Sequence, residues 1–241
     1  MNLSHPNLVA LFISTLIVTG CVDEQRIREL SREMTYNIKL NSARSYVAVR
    51  EATRKELQTR SPCCDDLSIV RATVKFRFDN ATSTVGVGSM LDNRVVEIDG
   101  YRSFYGMFDL NGPLDGKQMI DVSLMATPGY ADPETLDTAA TILFPDFLYL
   151  DSQRREISRT QLTPSGNGHR IGGVIYAPAG TQFIVVYSSK ASVAARPLRA
   201  WFAGATSAMP IGGSFVAIRT PPREEVFLPA DKGSITLTLL P

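Results

Sequence analysis

Short runs of β-forming residues, separated by turn formers, fill most of the chain from Leu67 onward. The run SIVRATVKFRF ends at Asp79-Asn80, RVVEI ends at Asp99-Gly100, and MIDVSLMA stops before Pro128-Gly129. The last run, SITLTLL, alternates apolar and polar residues. No long helical segment separates these runs, whereas parallel strands need long crossovers that are usually helices. The sequence therefore predicts a mainly β fold, an antiparallel β-sandwich.

One stretch of the β region is harder to assign. Between Arg196 and Gly213 the chain is broken by prolines and glycines, while Trp201, Phe202 and Met209 remain apolar. Prolines and glycines at this density punctuate regular structure. We expect this stretch to be a loop that covers one end of the sandwich.

The N-terminus carries an export signal. An apolar run, LVALFISTLIV at 8–18, is too short to span a bilayer comfortably as a permanent helix. It leads into Val18-Thr19-Gly20-Cys21, which resembles the bacterial lipobox, where a peptidase cuts before a lipidated cysteine. The alternative is a buried core helix followed by a chance cysteine. We predict a lipoprotein signal peptide at 1–20 and a lipid anchor on Cys21.

The lipobox resemblance also implies a location. A cysteine of this kind carries a thioether-linked diacylglycerol and three acyl chains in total, and each buried methylene adds about 0.8 kcal/mol of membrane affinity. Val22 follows the cysteine, whereas an Asp there favours the inner membrane in enterobacteria. We expect a chain anchored in the outer membrane and facing the periplasm.

A helical pattern lies between the anchor and the β region. Apolar residues recur there at three- and four-residue spacing with charges between them: Ile27, Leu30, Met34 and Ile38. Asn41-Ser42 is a candidate cap for a second helix that runs to Leu57. We expect the segment 21–60 to form a helical stalk that carries the β-sandwich domain, 61–241, away from the lipid. The alternative is an ordinary α-layer packed on that domain.

Charge and motif content argue against several functions. The chain has 25 basic and 24 acidic residues, a net charge of +1, so it shows no nucleic-acid footprint and no polybasic membrane patch. After the signal, His169 is the remaining histidine, which rules out paired-histidine metal motifs, and no GxSxG elbow is present. We expect no catalytic residues, no metal and no cofactor.

Acidic clusters are the residual catalytic candidates. They are Asp65-Asp66, Asp132-Pro133-Glu134 and Glu224-Glu225. Two carboxylates about 5–10 Å apart could serve glycoside hydrolysis. Solvated loop charge is the commoner meaning of such clusters, so a hydrolase is the most distant of the functions considered.

Cys63 and Cys64 are adjacent, and with Cys21 lipidated they are the pair left from the three cysteines of the chain. A vicinal disulfide, two reduced buried thiols and pairing with another chain all remain open. Adjacent Cα atoms lie about 3.8 Å apart, below the usual disulfide range of about 4.4–6.8 Å, so a bridge would strain the backbone. A vicinal disulfide would form a rigid plate able to stack on a sugar. Two small buried side chains are the plainer interpretation.

Aromatic residues concentrate in the runs SFYGMF and ILFPDFLYL. Flat rings can cover the C–H face of a sugar while polar edges bond its hydroxyls, so Tyr101, Tyr105 and Tyr149 are candidate ligand contacts. Strand alternation puts Phe104 and Tyr105 on opposite faces, so at most one face of this run can bind a ligand. We expect most of the other aromatic residues to be core.

Four elements between Pro62 and Lys190 stand out together: Cys63-Cys64-x-x-Leu67, SFYGMFDL, ILFPDFLYLDSQ and GGVIYAPAGTQFIVVYSS. In these elements the region resembles the maltose operon periplasmic protein (MalM-like) family. It implies a periplasmic β-rich protein, encoded in some bacteria with maltose-uptake genes, that has a role in carbohydrate transport. It brings no catalytic residues with it.

These observations predict a non-enzymatic accessory lipoprotein in carbohydrate transport or binding. Its expected partners are the membrane, through the lipid anchor, and a carbohydrate or a transport or envelope protein complex, with no nucleic acid. The alternative is a structural or interaction subunit of an envelope or secretion assembly.

Overall fold

The computed structural model describes residues 24–62, 74–75, 82–88, 94–167, 170–203, 205–211, 214–220 and 222–240. Within these ranges the chain forms a long N-terminal helix, a short second helix and seventeen strands. Most strand pairs are antiparallel. The predicted fold class is therefore confirmed: a mainly β, sandwich-like fold with a helix at its N-terminal side.

The two helices are α1 (Glu24–Thr59) and α2 (Lys190–Val193). The strands, in chain order, are β1 (Val74–Lys75), β2 (Thr82–Val87), β3 (Val95–Ile98), β4 (Tyr101–Asp109), β5 (Gln118–Met125), β6 (Thr127–Ala131), β7 (Thr138–Leu143), β8 (Asp146–Leu150), β9 (Glu156–Gln161), β10 (Ser165–Asn167), β11 (Arg170–Ala177), β12 (Phe183–Tyr187), β13 (Leu198–Phe202), β14 (Ala205–Ile211), β15 (Ser214–Thr220), β16 (Arg223–Ala230) and β17 (Gly233–Leu239).

The strands form three larger sheets and one separate hairpin. The first sheet has the order β1-β4-β12-β8-β9, with β3 also paired to β4. The second has the order β10-β11-β5-β17-β2, and the third β13-β16-β7-β6. Two pairs are parallel, β1 with β4 and β16 with β7. The stretch expected to be a loop instead contains β13 and β14, so that expectation is wrong.

The main core lies between the first and second sheets. Phe104 and Phe108 of β4 share one buried cluster with Ile120 and Val122 of β5 and with Ile235 of β17. Strand β5 alternates buried and half-buried positions, as expected for a strand with one face on a core. This packing of two sheets face to face is the sandwich.

The first sheet is buried on its other face too. Tyr105, Met107, Leu148 and Val185 belong to a second buried cluster, distinct from the main core. Every position of β8 and β12 is buried, which explains why their sequences, DFLYL and FIVVY, are nearly continuous apolar runs. The sequence alternation of β4 therefore separates two cores, not a core and a solvent face.

Helix α1 is continuous over 36 residues, about 54 Å at 1.5 Å per residue. The break expected at Asn41-Ser42 is therefore wrong. The carbonyl of Asn41 lies within the helix and accepts a hydrogen bond from the Ser45 hydroxyl, 2.9 Å away. The flanking residues are good helix formers, and tertiary packing begins at Ala43, which is 6% exposed, so a weak capping signal is overridden.

The C-terminal part of α1 packs on the third sheet. Tyr46 shares a buried cluster with Ala139 of β7 and with Val226 and Leu228 of β16. Its ring meets that of Tyr130 edge-on, with centroids 6.0 Å apart. This part of the helix is an α-layer on the domain, which was the alternative to a free stalk.

Candidate functional site

The cysteines and the histidine singled out in the sequence lie outside the described residues. These are Cys21, Cys63, Cys64 and His169, and the acidic pair Asp65-Asp66 is also outside. The three tyrosines proposed as ligand contacts are within the described part of the chain, in β4 and β8.

Tyr105 and Tyr149 are both fully buried. Tyr149 lies in the core between the sheets, and Tyr105 lies in the cluster on the opposite face of the first sheet. Burial raises the pKa of Tyr149 to about 12 because the phenolate would lose its hydration. Neither ring presents surface to a ligand in this structure, so these two tyrosines are core residues.

Tyr101 is half-buried, and one of its faces is already covered. The Arg54 guanidinium of α1 lies 4.5 Å from its ring centroid, within cation–π range. Burial raises the pKa of Tyr101, while the charge of Arg54 opposes that rise. Tyr101 therefore helps to hold α1 on the domain. The three tyrosines do not converge on one site.

A cleft lies between α1 and the outer face of the third sheet. Its volume is about 700 Å³, within the range of about 300–1,000 Å³ that small-molecule sites occupy. It is lined by Lys39 of α1 and, from the sheet and its loops, by Pro128, Asp137, Ala139, Ala140, Arg223, Glu224, Glu225 and Val226. The cleft thus has a small apolar floor and charged walls of both signs.

Trp201 lies on the face of the third sheet that borders this cleft, opposite one of the residues that line it. It is the single tryptophan of the chain and is 62% exposed. In the β13–β16 ladder Trp201 pairs with Glu224, which lines the cleft. Directly paired residues on antiparallel strands project to the same face, with Cβ atoms about 4.5–5.5 Å apart. The ring therefore lies on the same face as the cleft and next to one of its polar walls.

Arg199 is held beside Trp201 by two carboxylates. Its Nη2 donates to Oδ2 of Asp132 at 2.8 Å, and its Nη1 lies 3.7 Å from Oε2 of Glu224. Asp132 is fully buried and also accepts from the Glu134 amide and the Thr135 hydroxyl. A buried, fully bonded carboxylate fixes its partner firmly, so Arg199 presents its remaining donors from a fixed position.

The acidic clusters of the described chain have structural partners. Asp132 organises the β6–β7 turn and binds Arg199, and Glu225 pairs with Arg223. In the described ranges no three His, Cys, Asp or Glu side chains come together as a metal site. The arrangement offers an aromatic plate, fixed planar donors and acceptors, and a cleft, which together suit a polyhydroxylated ligand.

Trp201 was not among the candidates drawn from the sequence, although a signal was present. The run LRAWF alternates, with Arg199 and Trp201 on one face and Ala200 on the other. Ala200 is 4% exposed and faces the main core. A strand prediction for this run would have placed Trp201 on the exposed face. The surrounding prolines and glycines indicated a loop, so that prediction was not made.

No protein-family model matches the sequence, and no curated protein matches it significantly. Among the described residues, no helix is both long and apolar enough to cross a membrane.

Proposed function

We propose that this chain is a non-enzymatic envelope lipoprotein, anchored through Cys21 in the outer membrane and facing the periplasm, whose β-domain binds carbohydrate as an accessory in transport. The observation that carries the sugar half of the proposal is the cleft beside the exposed Trp201. The lipobox at Cys21 and the resemblance to the maltose operon protein family support the location and the ligand class.

The chemistry of the cleft supports a sugar over other small ligands. An exposed indole buries the apolar face of a pyranose, and its rigidity keeps the ordering cost low. Arg199 and Glu224 supply planar donors and acceptors on the same face of the third sheet as the ring, and Asp137 adds a carboxylate in the cleft; hydroxyl groups require such partners. The mixed charge of the walls disfavours a strongly anionic or cationic ligand.

A fluorescence titration tests this proposal directly, because the chain has one tryptophan. The whole chain, in a detergent without a sugar headgroup, is titrated with maltodextrins and with cell-wall glycan fragments. We expect a saturable change in tryptophan emission with at least one of these ligands. The absence of any change, together with no bound glycan by native mass spectrometry, would refute the sugar half of the proposal.

Matched variants locate the binding. Trp201→Ala should weaken binding about tenfold, measured by calorimetry, since central aromatic contacts dominate most interfaces. Tyr176→Ala removes another exposed strand aromatic, 52% exposed, from β11 of another sheet and should leave affinity unchanged. Equal loss in both variants would mean that the ligand does not bind at the cleft.

A second candidate function is that of an interaction subunit in an envelope or secretion assembly. It is favoured by β14 and β15, which pair with each other over seven residues and form a sheet of their own. Neither strand pairs with a third one among the described strands, and the edge of such a ribbon can accept a partner strand. Cross-linking of whole cells that recovers a reproducible protein partner, lost when residues 205–220 are replaced by a short turn, would support this function.

A further inference from the structure

Helix α1 has an apolar stripe on the face opposite the domain. Leu30, Met34 and Ile38 follow one another at four-residue spacing, and they are 42%, 37% and 57% exposed. At 3.6 residues per turn, this stripe lies on the opposite side of the helix from Tyr46 and Leu57, which face the domain. The described part of the fold does not use these three side chains in any buried cluster.

The stripe changes character along the helix. Beyond Ile38 the same face continues through small or uncharged residues, all exposed: Asn41, Ser45, Ala48 and Ala52. The outer face is thus free of charge from Leu30 to Ala52, and its large apolar side chains lie near the N-terminal end of the helix, except for Val49 at its edge, which is 51% exposed. The apolar part begins nine residues after Cys21 in the sequence.

We infer that the outer face of α1 lies against the lipid bilayer, with Leu30, Met34 and Ile38 in the boundary between headgroups and acyl chains. The inference rests on the lipid anchor in the proposed function. Helix α1 starts at Glu24, three residues after Cys21, so an anchored chain holds its first turns at the membrane. The helix then runs along the surface and carries the domain on its inner face.

A lipid bilayer explains why the large apolar side chains are concentrated near the N-terminal end of this face better than a second copy of this chain does. A stable helix pair needs apolar contacts along its length, and specific interfaces bury about 1,200–2,000 Å² in total. Three side chains per helix, followed by Asn41 and Ser45, fall short of that. A bilayer contact needs less, because the anchor makes it intramolecular and raises the effective concentration of the surface.

Quenching by brominated lipid tests the contact position by position. In the Trp201→Phe background, Met34→Trp places the sole indole on the outer face, and Tyr36→Trp places it on the matched control face. Tyr36 is 55% exposed but lines a cavity with Thr135 and Leu136 of the domain. Both lipidated chains are reconstituted in vesicles of phosphatidylethanolamine and phosphatidylglycerol, with or without bromine on the acyl chains.

We expect Met34→Trp to lose most of its emission in brominated vesicles and to be blue-shifted, while Tyr36→Trp changes little. Equal quenching at both positions, or quenching at neither in an anchored chain, would overturn the inference and leave the anchor standing. A blue shift of the indole at position 34 that grows with the number of chains per vesicle, and is not accompanied by bromine quenching, would assign the face to a second copy. That result would also overturn the inference of a lipid contact. A chain that fails to remain with the vesicles would refute the anchor, and the inference with it.

Discussion

The two halves of helix α1 have similar composition but opposite surroundings. In the C-terminal half, Ala43, Tyr46, Thr53 and Leu57 are all less than a tenth exposed. In the N-terminal half, every described side chain from 29 to 38 is exposed. Helix propensity does not distinguish the halves, so the difference teaches that the domain, and not the local sequence, stabilises the C-terminal half.

Long polar side chains hold the C-terminal half at intervals of about one turn. The Tyr46 hydroxyl donates to the Pro229 carbonyl at 2.9 Å, and Arg50 donates to the Val193 carbonyl at 2.8 Å. One turn later, Arg54 forms a two-pronged ion pair with Asp231. These contacts join α1 to β16, to the turn after it and to the end of α2, and they fix one wall of the cleft.

The largest predicted effect comes from removing the cation of the buried pair. Asp231 is almost fully buried, with a side chain 2% exposed. Arg54→Met would leave its carboxylate uncompensated, so we expect the free energy of unfolding to fall by about 4 kcal/mol. Urea denaturation of the wild-type chain and of Arg54→Met measures this change in the free energy of unfolding.

Arg32→Met is the matched control for that variant, because Arg32 lies on the exposed half of the same helix. It should change stability by no more than about 0.5 kcal/mol. Comparable losses from both substitutions would mean that the halves do not differ in the way described.

A second prediction compares two leucines of α1. Leu57 is 1% exposed and belongs to the main core, whereas Leu30 is 42% exposed. Leu57→Ala should lower the free energy of unfolding by about 3 kcal/mol because it leaves a cavity. Leu30→Ala should cost less than about 0.5 kcal/mol in the detergent-solubilised chain. A large cost at position 30 would show that the N-terminal half also packs on the domain.

A third prediction concerns a single hydroxyl. Tyr46→Phe keeps the ring contact with Tyr130 but removes the donor to Pro229. We expect a loss of about 1 kcal/mol, the usual net value of one hydrogen bond. Tyr36→Phe, in the exposed half, is the control and should be neutral in thermal denaturation.

The last prediction concerns the alkaline pH dependence of stability. Burial raises the pKa of Tyr46, and it raises the pKa of Tyr149 and of Tyr187 to about 12. Between about pH 10 and the folded pKa, the unfolded chain releases protons that the folded chain keeps, so stability must fall as pH rises.

Tyr46→Phe should make this fall shallower than it is in the wild-type chain. Denaturation midpoints measured from pH 9 to pH 12 would show the difference. Identical slopes in the wild-type chain and in Tyr46→Phe would mean that Tyr46 titrates normally and that its burial has been overstated.

Much of the fold could be predicted because local sequence patterns determine it. The spacing of β-prone runs and turn formers indicated antiparallel sheets, and the recurrence of apolar residues from Ile27 to Ile38 indicated helix. The continuity of α1 through Asn41-Ser42 could not be predicted, since it depends on packing that begins only at Ala43. A capping pattern in the local sequence contains no information about packing against a sheet whose strands lie far away in the sequence.

The candidate site was harder to predict, for a physical reason that β4 illustrates. Alternation showed that Phe104 and Tyr105 face opposite ways, but it could not show that both faces of the first sheet are buried. Trp201 was missed because its strand lies in a proline- and glycine-rich stretch. Its role depends on Glu224, a cross-strand partner more than twenty residues away in the sequence.

Hydrogen exchange along α1 tests most directly the claim that one continuous helix is divided into a half held by the domain and a more exposed half. In the Cys21→Ser chain, free of lipid, we expect amides 46–59 to exchange only when the domain opens, and amides 29–38 to exchange far faster by local fraying. Arg54→Met should accelerate the first group and leave the second unchanged. Uniform protection along the whole helix, or rapid exchange in both halves, would contradict the account.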